Sequence, residues 1–420
     1  MKLLSIINEK AVNSMATIAA FLRESKRKSA TRFFSPLNFI YEKCAHAKAY
    51  EVVGHKAHAA DTPTVLKKVL FVQRTGYSSN LVYNDSEEEQ RLIELPMNDI
   101  VLYHYKGLCI CGDSDLVIDD GRNMVINDIC FNKEKWIKYH DSVMLAQHNN
   151  TVLLRHKDNV KELESGIVIS GHFSKNYYHS LYDNLVRLIA LGSADVPGNV
   201  PYLIDRATYD IPSLKSAFKC LTRTNNRDTI VLEPRQRYRV NDMYYITHVN
   251  HIIPSIQSYS LCRPEDTVFD INLTLAMREQ LLALKSDKEF PERIFISRKN
   301  TARRNFNEDD IFEILKNDGF ERVFPENLSF EEQIALFNNA KVIVGGGGAA
   351  MTNLMFCSKG CKVLIINKTM DQVPCFTTIP YAIGVTIRHY GRENNDRRLH
   401  SDYVVDPQEV MNCIRFLVES

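Results

Sequence analysis

His179 and Asp183 are the two residues whose types and spacing best suit acid–base chemistry. The pattern of apolar residues over 177–191 predicts a helix, and residues four positions apart lie on the same face of a helix. A histidine beside a carboxylate can take the proton of an attacking hydroxyl, with one group orienting the other. We slightly favour Asp183 as the base. The alternative is that His179 caps the preceding loop while Asp183 pairs with Arg187.

A run of four glycines, Gly345 to Gly348, follows the short strand-like run over residues 341–344, which ends in three β-branched residues, and precedes a helix-compatible segment that ends at Cys357. A strand, a glycine turn and a helix together direct backbone N–H groups and the positive end of a helix at an anion. Missing side chains also let a ligand approach the backbone closely. The run therefore predicts a phosphate site, although a tight turn without a ligand would explain the glycines alone.

Arg298 lies at the end of the strand predicted over 293–296, and Arg303 and Arg304 follow in the next loop. Ligands of open α/β sheets bind at the carboxyl ends of strands. A guanidinium there presents a planar fork that fits two phosphate oxygens. The alternative for Arg298 is a salt bridge to a neighbouring carboxylate. Farther along, Glu326 follows a strand and is a candidate for hydrogen bonding to a ribose.

The order of the predicted elements indicates an α/β fold. Residues 51–160 carry short β-rich runs separated by Asp and Gly turns. Strands and helices alternate over 161–270 and again over 271–420, which is typical of parallel sheets covered by helices. We therefore predict a β-rich region followed by two doubly wound, Rossmann-type domains that face a cleft, where ligands usually bind.

The first 50 residues differ from the rest. Apolar residues recur at three- and four-residue steps from Leu3 to Leu22, and basic residues follow as far as Arg32. This pattern predicts an amphipathic helix with a basic flank. Residues 1–32 are therefore candidates for peripheral contact with an anionic membrane or for contact within a homo-oligomer, and the alternative is that they cover the protein's own core.

The composition is that of an ordinary globular protein. Of 420 residues, 45 % are hydrophobic and 25 % are charged, with a formal net charge of +1. The small net charge argues against a nucleic-acid partner. No apolar run is long enough to predict a transmembrane helix, and no signal-peptide pattern begins the sequence. The ten cysteines form no zinc-type pattern. We interpret them as reduced thiols and expect a cytoplasmic protein, at the inner face of the membrane if the N-terminal helix binds there.

Three blocks of sequence, in order, resemble glycosyltransferase family 61. Residues 172–187, HFSKNYYHSLYDNLVR, resemble the family element N-Y-x-H-W-x-x-D-x-L-P-R. The second block begins with RIFISR. It continues with NE and then with GF-x-x-V-x-PE-x-L-S-F-x-EQ-x-x-LF. The third is the glycine turn with Thr352 and Asn353. The second and third blocks together span about 293–366.

The resemblance implies a GT-B-like architecture, a nucleotide-sugar bound in the C-terminal domain, and inversion at the anomeric carbon. The donor-site residues that we predict are Arg298, Arg303, Arg304, Glu326, Gly346, Gly347, Gly348, Ala349, Thr352 and Asn353. The catalytic pair is Asp183 with His179. The acceptor side of the cleft is predicted to include His172, Asn176 and Tyr178.

The chain departs from the family pattern at several positions. Gly347 stands where the family commonly has His, so the arginines or His172 would have to neutralise the leaving phosphate. Ser180 and Val186 replace the usual Trp and Pro, which suggests a divergent bacterial member. The sequence Asp113-Ser114-Asp115 matches a DxD metal motif by letter, but it precedes the wound domains and we interpret it as a turn. We expect no metal and no cofactor, because cations and backbone N–H groups can stabilise a departing diphosphate.

We therefore predict an inverting, metal-independent glycosyltransferase. It would move a sugar from a nucleotide-sugar, UDP-linked by preference, to a glycan or glycolipid acceptor in bacterial capsule or lipopolysaccharide synthesis. One alternative is transfer of a sugar phosphate or another group on the same scaffold. The other is a catalytically silent nucleotide-binding subunit, which the missing histidine suggests.

Overall fold

A computed structural model describes most of the chain from residue 47 onward. The described residues are 47–62, 64–79, 92–128, 142–148, 151–155, 159–252, 263–300, 304–368, 374–391 and 401–419. The predicted N-terminal helix, its basic flank and Arg303 lie outside these ranges. Within them, no helix is both long enough and apolar enough to cross a membrane.

In its described residues, the β-rich region has ten strands and one short helix. These elements are β1 (Ala47–Val53), α1 (His55–Ala60), β2 (Leu66–Phe71), β3 (Arg74–Ser79), β4 (Leu92–Met97), β5 (Ile100–Cys111), β6 (Val117–Asp119), β7 (Met124–Ile126), β8 (Met144–His148), β9 (Thr151–Arg155) and β10 (Val160–Val168). Strands β3 and β4 form a separate antiparallel hairpin. The other strands belong to one large sheet that also includes the next part of the chain.

That next part winds helices around parallel strands. Its elements are α2 (Tyr177–His179), a π-helical turn (Ser180–Leu185), α3 (Arg187–Leu191), β11 (Tyr202–Asp205), α4 (Arg206–Asp210), α5 (Pro212–Thr222), β12 (Thr229–Leu232), β13 (Arg237–Ile246), β14 (His251–Ile252) and β15 (Thr267–Val268). The large sheet runs β12-β11-β10-β13-β5-β6-β7-β1-β9-β8, with β2 beside β5. Because β13 pairs antiparallel with β5, strands on both sides of the predicted boundary at residue 160 share one sheet.

Strand β10 has parallel neighbours on both sides, β11 and β13. The chain moves outward from β10 to β11 and β12, and then returns to the other side of β10 as β13. The carboxyl ends of β10 and β13 therefore form a topological switch point, which is where open α/β sheets bind ligands. We call this place the first switch point.

The C-terminal part forms a second, fully parallel sheet. Its elements are α6 (Ile271–Leu282), β16 (Arg293–Ile296), α7 (Glu308–Leu315), β17 (Glu321–Val323), α8 (Phe330–Asn339), β18 (Val342–Gly346), β19 (Lys362–Ile366), α9 (Thr378–Ala382), β20 (Thr386–Tyr390) and α10 (Pro407–Glu419). The strand order is β17-β16-β18-β19-β20. The chain reverses direction between β16 and β18, whose carboxyl ends form the second switch point.

One hydrophobic core joins the two sheets. It includes Ile167 and Leu181 from the first wound part and Ile343 and Leu354 from the second, all essentially inaccessible to solvent. A continuous β-branched strand such as β18 suits burial on both faces, as parallel strands require. The predicted mixed α/β fold is confirmed, while the division into two GT-B-type domains stays a prediction.

Candidate functional site

The helix that carries the predicted dyad begins a few residues beyond β10. Asn176 caps it by accepting a hydrogen bond from the Tyr178 N–H at 3.0 Å, as asparagine does at helix N-caps. The helix then widens into the π-helical turn, a feature frequent at functional sites. His179 Nδ1 and Asp183 Oδ2 lie 2.6 Å apart, and both side chains are buried. The structure thus brings the two predicted catalytic residues together.

Arg187, the partner that the alternative interpretation gave to Asp183, is fully buried and has other contacts. Its Nη2 donates to the carbonyl oxygens of Ser170 at 2.7 Å and Ile169 at 3.2 Å, and to Asn184 Oδ1 at 3.1 Å. The guanidinium therefore fixes the helix to the backbone that leaves β10. The structure has an Asp183–His179 pair in place of the alternative Asp183–Arg187 pair.

Asp115 connects the two strand ends of the first switch point. Its Oδ2 lies 2.9 Å from His172 Nδ1 and 3.3 Å from His248 Nε2. Asp115 and His172 are buried. Burial raises the pKa of Asp115, but the two histidines more than offset this effect and hold the pKa well below its ordinary value. Asp115 is therefore an anion that orients both imidazole rings.

The interpretation of residues 113–115 as only a turn is incomplete. Asp113 does occupy a turn, with φ of +60°. Its N–H donates to Asp205 Oδ1 at 2.6 Å, and the Ser114 carbonyl accepts from Ser170 Oγ at 3.3 Å. The segment that follows β5 therefore crosses to the end of β10. Asp115 and His248 were missed because no local motif marks a contact between residues 133 positions apart.

Asp205, at the carboxyl end of β11, holds this arrangement together. It accepts hydrogen bonds from Ser170 Oγ at 2.6 Å and from the Gly171 N–H at 2.9 Å, in addition to the Asp113 N–H. Burial raises the pKa of Asp205 to about 7, although these bonds oppose the shift. Asp205 was not among the predicted site residues, and the one local signal for it is an acidic residue directly after the strand predicted at 202–204.

At the second switch point, Arg298 and the glycine turn touch each other. Arg298 is buried, and its Nη1 donates to the Gly347 carbonyl at 3.0 Å. A Cβ at Gly348 would lie 1.9 Å from the same nitrogen, and a Cβ at Gly346 would lie 2.6 Å from Arg298 Cδ. A side chain at Gly348 would therefore displace the end of Arg298, and one at Gly346 would meet both Arg298 and Phe306. The helix-compatible segment after the turn forms a 3₁₀ helix over Ala349–Phe356.

Glu308 supports Arg298 through the backbone. Its carboxylate accepts from Ser297 Oγ at 2.6 Å and from the Arg298 N–H at 2.7 Å. This carboxylate comes from the first turn of α7 and is buried. It fixes the end of β16, so that the position of the arginine follows from the packing of α7 on the sheet.

A second cation and an aromatic pair lie beside Arg298. Burial raises the pKa of Tyr403 to about 12, and both Arg298 and Arg304 oppose this shift, so both guanidinium groups lie near the phenol. The rings of Phe306 and Tyr403 stack with their centroids 5.4 Å apart. Arg304 itself has a positive φ of +58°. The carboxyl edge of the second sheet is therefore basic and partly aromatic.

Gly347, where the resemblance led us to expect histidine, is covered by another side chain. A Cβ at this position would lie 2.4 Å from Asn367 Oδ1. Asn367 Nδ2 in turn lies 2.9 Å from His389 Nδ1. Burial lowers the pKa of His389 to about 4, so this imidazole is neutral at pH 7. The asparagine thus occupies the space that a larger residue at position 347 would need.

The other predicted donor residues have mixed placements. Asn353 is buried, where it accepts from Tyr177 Oη at 2.6 Å and donates to Gln333 Oε1 at 2.9 Å. Thr352 is buried beside it, whereas Ala349 is exposed on the turn. Glu326 is exposed and accepts from Asn300 Nδ2 at 2.7 Å. Asn353 therefore serves the packing between the two parts of the molecule.

The predicted acceptor residues also differ in placement. His172 lies in the Asp115 cluster, and Asn176 is an exposed helix cap. The ring of Tyr178 packs against Tyr182 and Phe376, with centroids 5.1 and 5.5 Å away. Of these three, only His172 lies in the cluster of polar side chains.

The helix that ends in His179 packs directly on the segment that follows the glycine turn. Helix α2, which ends in His179, contacts the segment Ala349–Phe356 that follows the turn. The hydrogen bond from Tyr177 Oη to Asn353 Oδ1 joins the same two elements. The helix that carries the base candidate is therefore a neighbour of the basic, glycine-lined edge of the second sheet.

Three buried side chains at the first switch point could hold a metal ion. His172, His179 and Asp183 each offer a ligand atom, and these atoms lie within 4.8 Å of one another. Two of these groups already form the His179–Asp183 pair, and His172 Nδ1 faces Asp115. The same arrangement of an imidazole oriented by a carboxylate is suited to proton transfer without an ion.

Residues 177–364 match the family model described as Glycosyltransferase 61. The matched range includes the dyad, Arg298 and the glycine turn. The chain therefore carries a glycosyltransferase 61 domain, and the predicted resemblance to this family is confirmed. Glycosyl transfer from a sugar donor to an acceptor is the class of activity that the domain defines. No curated protein matches the chain.

Proposed function

We propose that the protein is an inverting, metal-independent glycosyltransferase with a GT-B arrangement, using a UDP-sugar as donor and a glycan or glycolipid as acceptor. The observation that carries this proposal is the packing of the dyad helix on the segment after the glycine turn. It makes a base candidate and a diphosphate-binding edge neighbours in one molecule. Group transfer needs both within reach of one sugar.

His179 is the base in this mechanism, with Asp183 as its orienting partner. Because Nδ1 of the ring faces Asp183 at 2.6 Å, Nε2 is the nitrogen that takes the proton of the acceptor hydroxyl. The acceptor oxygen then bonds to C1 of the donor sugar as the bond from C1 to the diphosphate oxygen breaks. UDP leaves with that electron pair, and the anomeric configuration inverts. This assignment reverses the slight preference of the sequence analysis for Asp183.

The donor diphosphate is assigned to the second switch point. Arg298 and Arg304 supply positive charge, and the turn at Gly347 and Gly348 supplies closely approachable backbone. Fixed cations and N–H groups can stabilise the departing diphosphate in the absence of a metal ion. Phe306 and Tyr403 offer a stacked aromatic surface near these arginines.

A thermal-shift screen of nucleotides and nucleotide-sugars on the full chain tests the donor class. A ligand at 100 times its Kd adds about 2.7 kcal/mol of apparent stability. We expect UDP and one UDP-sugar to raise the melting temperature most. We also expect Arg298→Ala to lose these increases. A largest shift with a non-uridine nucleotide would contradict the UDP assignment. No shift with any nucleotide would contradict the donor site itself.

Product analysis tests the reaction class. Incubation with the donor that the screen selects should release UDP and give a product heavier by one sugar residue. Proton NMR at early times should show the inverted anomeric configuration. A product heavier by a sugar phosphate would support the group-transfer alternative. Tight UDP binding without turnover, in the presence of active acceptors, would support the catalytically silent subunit.

We propose bacterial capsule or lipopolysaccharide assembly at the inner face of the cytoplasmic membrane as the setting. The support is the predicted amphipathic helix with its basic flank over residues 1–32. Deleting residues 1–28 should reduce sedimentation with anionic vesicles and leave transfer to a soluble acceptor unchanged. Unchanged sedimentation would contradict membrane binding. If the deletion then also converted a dimer to a monomer, the segment would serve oligomer contact.

A further inference from the structure

A cavity of about 510 Å³ opens beside the first switch point. Its walls come from β3, from β4 and the link to β5, from the residues that follow β7 and β13, and from β15 with the turn before it. This volume falls within the range of about 300–1,000 Å³ that is typical of small-molecule sites. The Arg298 cluster and the glycine turn contribute nothing to its lining. The cavity is therefore separate from the proposed donor site.

The charges that line the cavity are mainly negative. Asp99, Asp128 and Glu265 are exposed around it. Among the described lining residues, the one guanidinium is that of Arg74, which already donates to Asp270 Oδ2 at 2.8 Å and to the carbonyl oxygens of Asn98 and Val249. A concave surface lined by one sign of charge repels ligands of that sign. A nucleoside diphosphate is thus unsuited to this cavity.

A line of polar side chains leads from the cavity to the dyad. His248 lines the cavity, and its Nε2 lies 3.3 Å from Asp115 Oδ2. Asp115 in turn lies 2.9 Å from His172 Nδ1. Ligand atoms of His172, His179 and Asp183 lie within 4.8 Å of one another. His248 therefore joins the wall of the cavity to the buried polar cluster that contains the dyad.

We propose that this cavity binds the acceptor, and that the acceptor is a neutral or amine-bearing saccharide rather than an anionic one. The inference rests on the proposed function and specifies its acceptor. Sugar hydroxyls can donate hydrogen bonds to the carboxylates of this lining. They can also exchange hydrogen bonds with its amides, such as that of Asn98, and with the rings of His248 and His251. Carboxylates also attract an ammonium group and repel a uronate or a phosphate.

Three trisaccharides that differ in charge test the proposal on the full chain. They are N-acetylglucosamine trisaccharide, glucosamine trisaccharide and galacturonic acid trisaccharide, and titration by NMR gives each Kd. We expect the galacturonate to bind at least about tenfold more weakly than the better of the other two, which corresponds to about 1.4 kcal/mol. Equal or tighter binding of the galacturonate, or no binding of any of the three, would overturn the proposal.

Two variants locate the binding. Leu95→Trp fills the cavity and should weaken the best-bound trisaccharide about tenfold or more, while Leu92→Trp on the same strand, outside the lining, should leave it unchanged. A paired change of Asp99→Asn and Glu265→Gln should reduce the discrimination against galacturonate roughly two- to fivefold, since exposed charges interact weakly. The matched control is Asp287→Asn with Glu289→Gln. Equal effects in variant and control would overturn the assignment.

Binding of UDP to the same samples separates this inference from the proposed function. If UDP binds and the saccharides fail to show the expected charge preference, the acceptor assignment is wrong and the donor site stands. If the saccharides bind as expected and UDP does not, the donor assignment is wrong and the cavity stands. Circular dichroism melting of Leu95→Trp and Leu92→Trp shows whether each variant is folded.

Discussion

The two switch points of this molecule have the same topology and opposite chemistry. At the first, the ends of β10 and β13 carry His172 and His248 around the buried carboxylate of Asp115. At the second, the ends of β16 and β18 carry Arg298 against a glycine turn. In the mechanism that we propose, the same strand arrangement serves proton transfer in one place and anion binding in the other. Sequence at the strand ends, rather than topology, decides the role.

The two sites also differ in how they are built. The contact between Arg298 and Gly347 joins neighbouring strands within 49 residues. The first site depends on Asp115, which reaches His248 from the end of a strand 133 positions earlier in the chain.

Loss of the base is expected to have the largest effect. His179→Ala should lower kcat by about 10²–10⁴-fold, the usual contribution of a general base, with UDP affinity nearly unchanged. Asp183→Asn should lower kcat less, because an asparagine oxygen can still accept from Nδ1 of the ring. Asp210→Asn, an exposed change at the end of α4, is the control. A His179→Ala variant with most of the parental kcat would show that the base lies elsewhere.

The sequence predicted the second site better than the first. The glycine run and the arginines lie in blocks that a reader can recognise locally, and the strand–turn signals place them at one sheet edge. The pairing of β5 with β13, which brings Asp115 to His248, joins residues far apart in sequence. No periodicity or spacing reveals such a pairing, so Asp115, Asp205 and His248 were missed.

Local signals also have limits at the second site. Glycines were interpreted as room for phosphate oxygens, whereas the nearest atoms to an added Cβ at Gly348 belong to Arg298. The sequence shows which residues are small but not which side chain fills the space beside them. For the same reason, the contact of Asn367 with position 347 was not predicted.

A methyl group at Gly348 should displace Arg298. Because the added Cβ would lie 1.9 Å from Nη1, Gly348→Ala should weaken UDP binding about as much as Arg298→Ala does, by roughly 1.5–3 kcal/mol for bonds to a charged group. The double variant should be no worse than either single one, which is the signature of one shared interaction. Gly198→Ala, where an added Cβ meets nothing within 4 Å, is the control. Additive losses would show that the glycine contacts the ligand independently.

A lysine at position 298 should have a smaller effect. It keeps the charge and loses the planar fork, so Arg298→Lys should weaken UDP binding by about 1–2 kcal/mol. Arg293→Lys, at the other end of the same strand, is the matched control and should bind UDP like the parent. Parental affinity in Arg298→Lys would exclude a bidentate contact with the diphosphate.

The smallest expected effect concerns Asp205 and pH. Its folded-state pKa of about 7 lies above the ordinary value, so folding favours the protonated form. Its contribution to stability is complete below the unfolded pKa and is lost as pH rises through about 7. The melting temperature of the parent should therefore fall more between pH 5 and pH 8 than that of Asp205→Asn. Identical pH profiles of the two proteins would show that Asp205 does not titrate in this range.

The most direct test of the division between the two switch points is calorimetric titration of UDP into three proteins under one set of conditions. We expect the parent and His179→Ala to bind UDP with the same affinity, and Arg298→Ala to bind it much more weakly. Loss of UDP binding in His179→Ala, or full binding in Arg298→Ala, with both variants folded, would contradict the account.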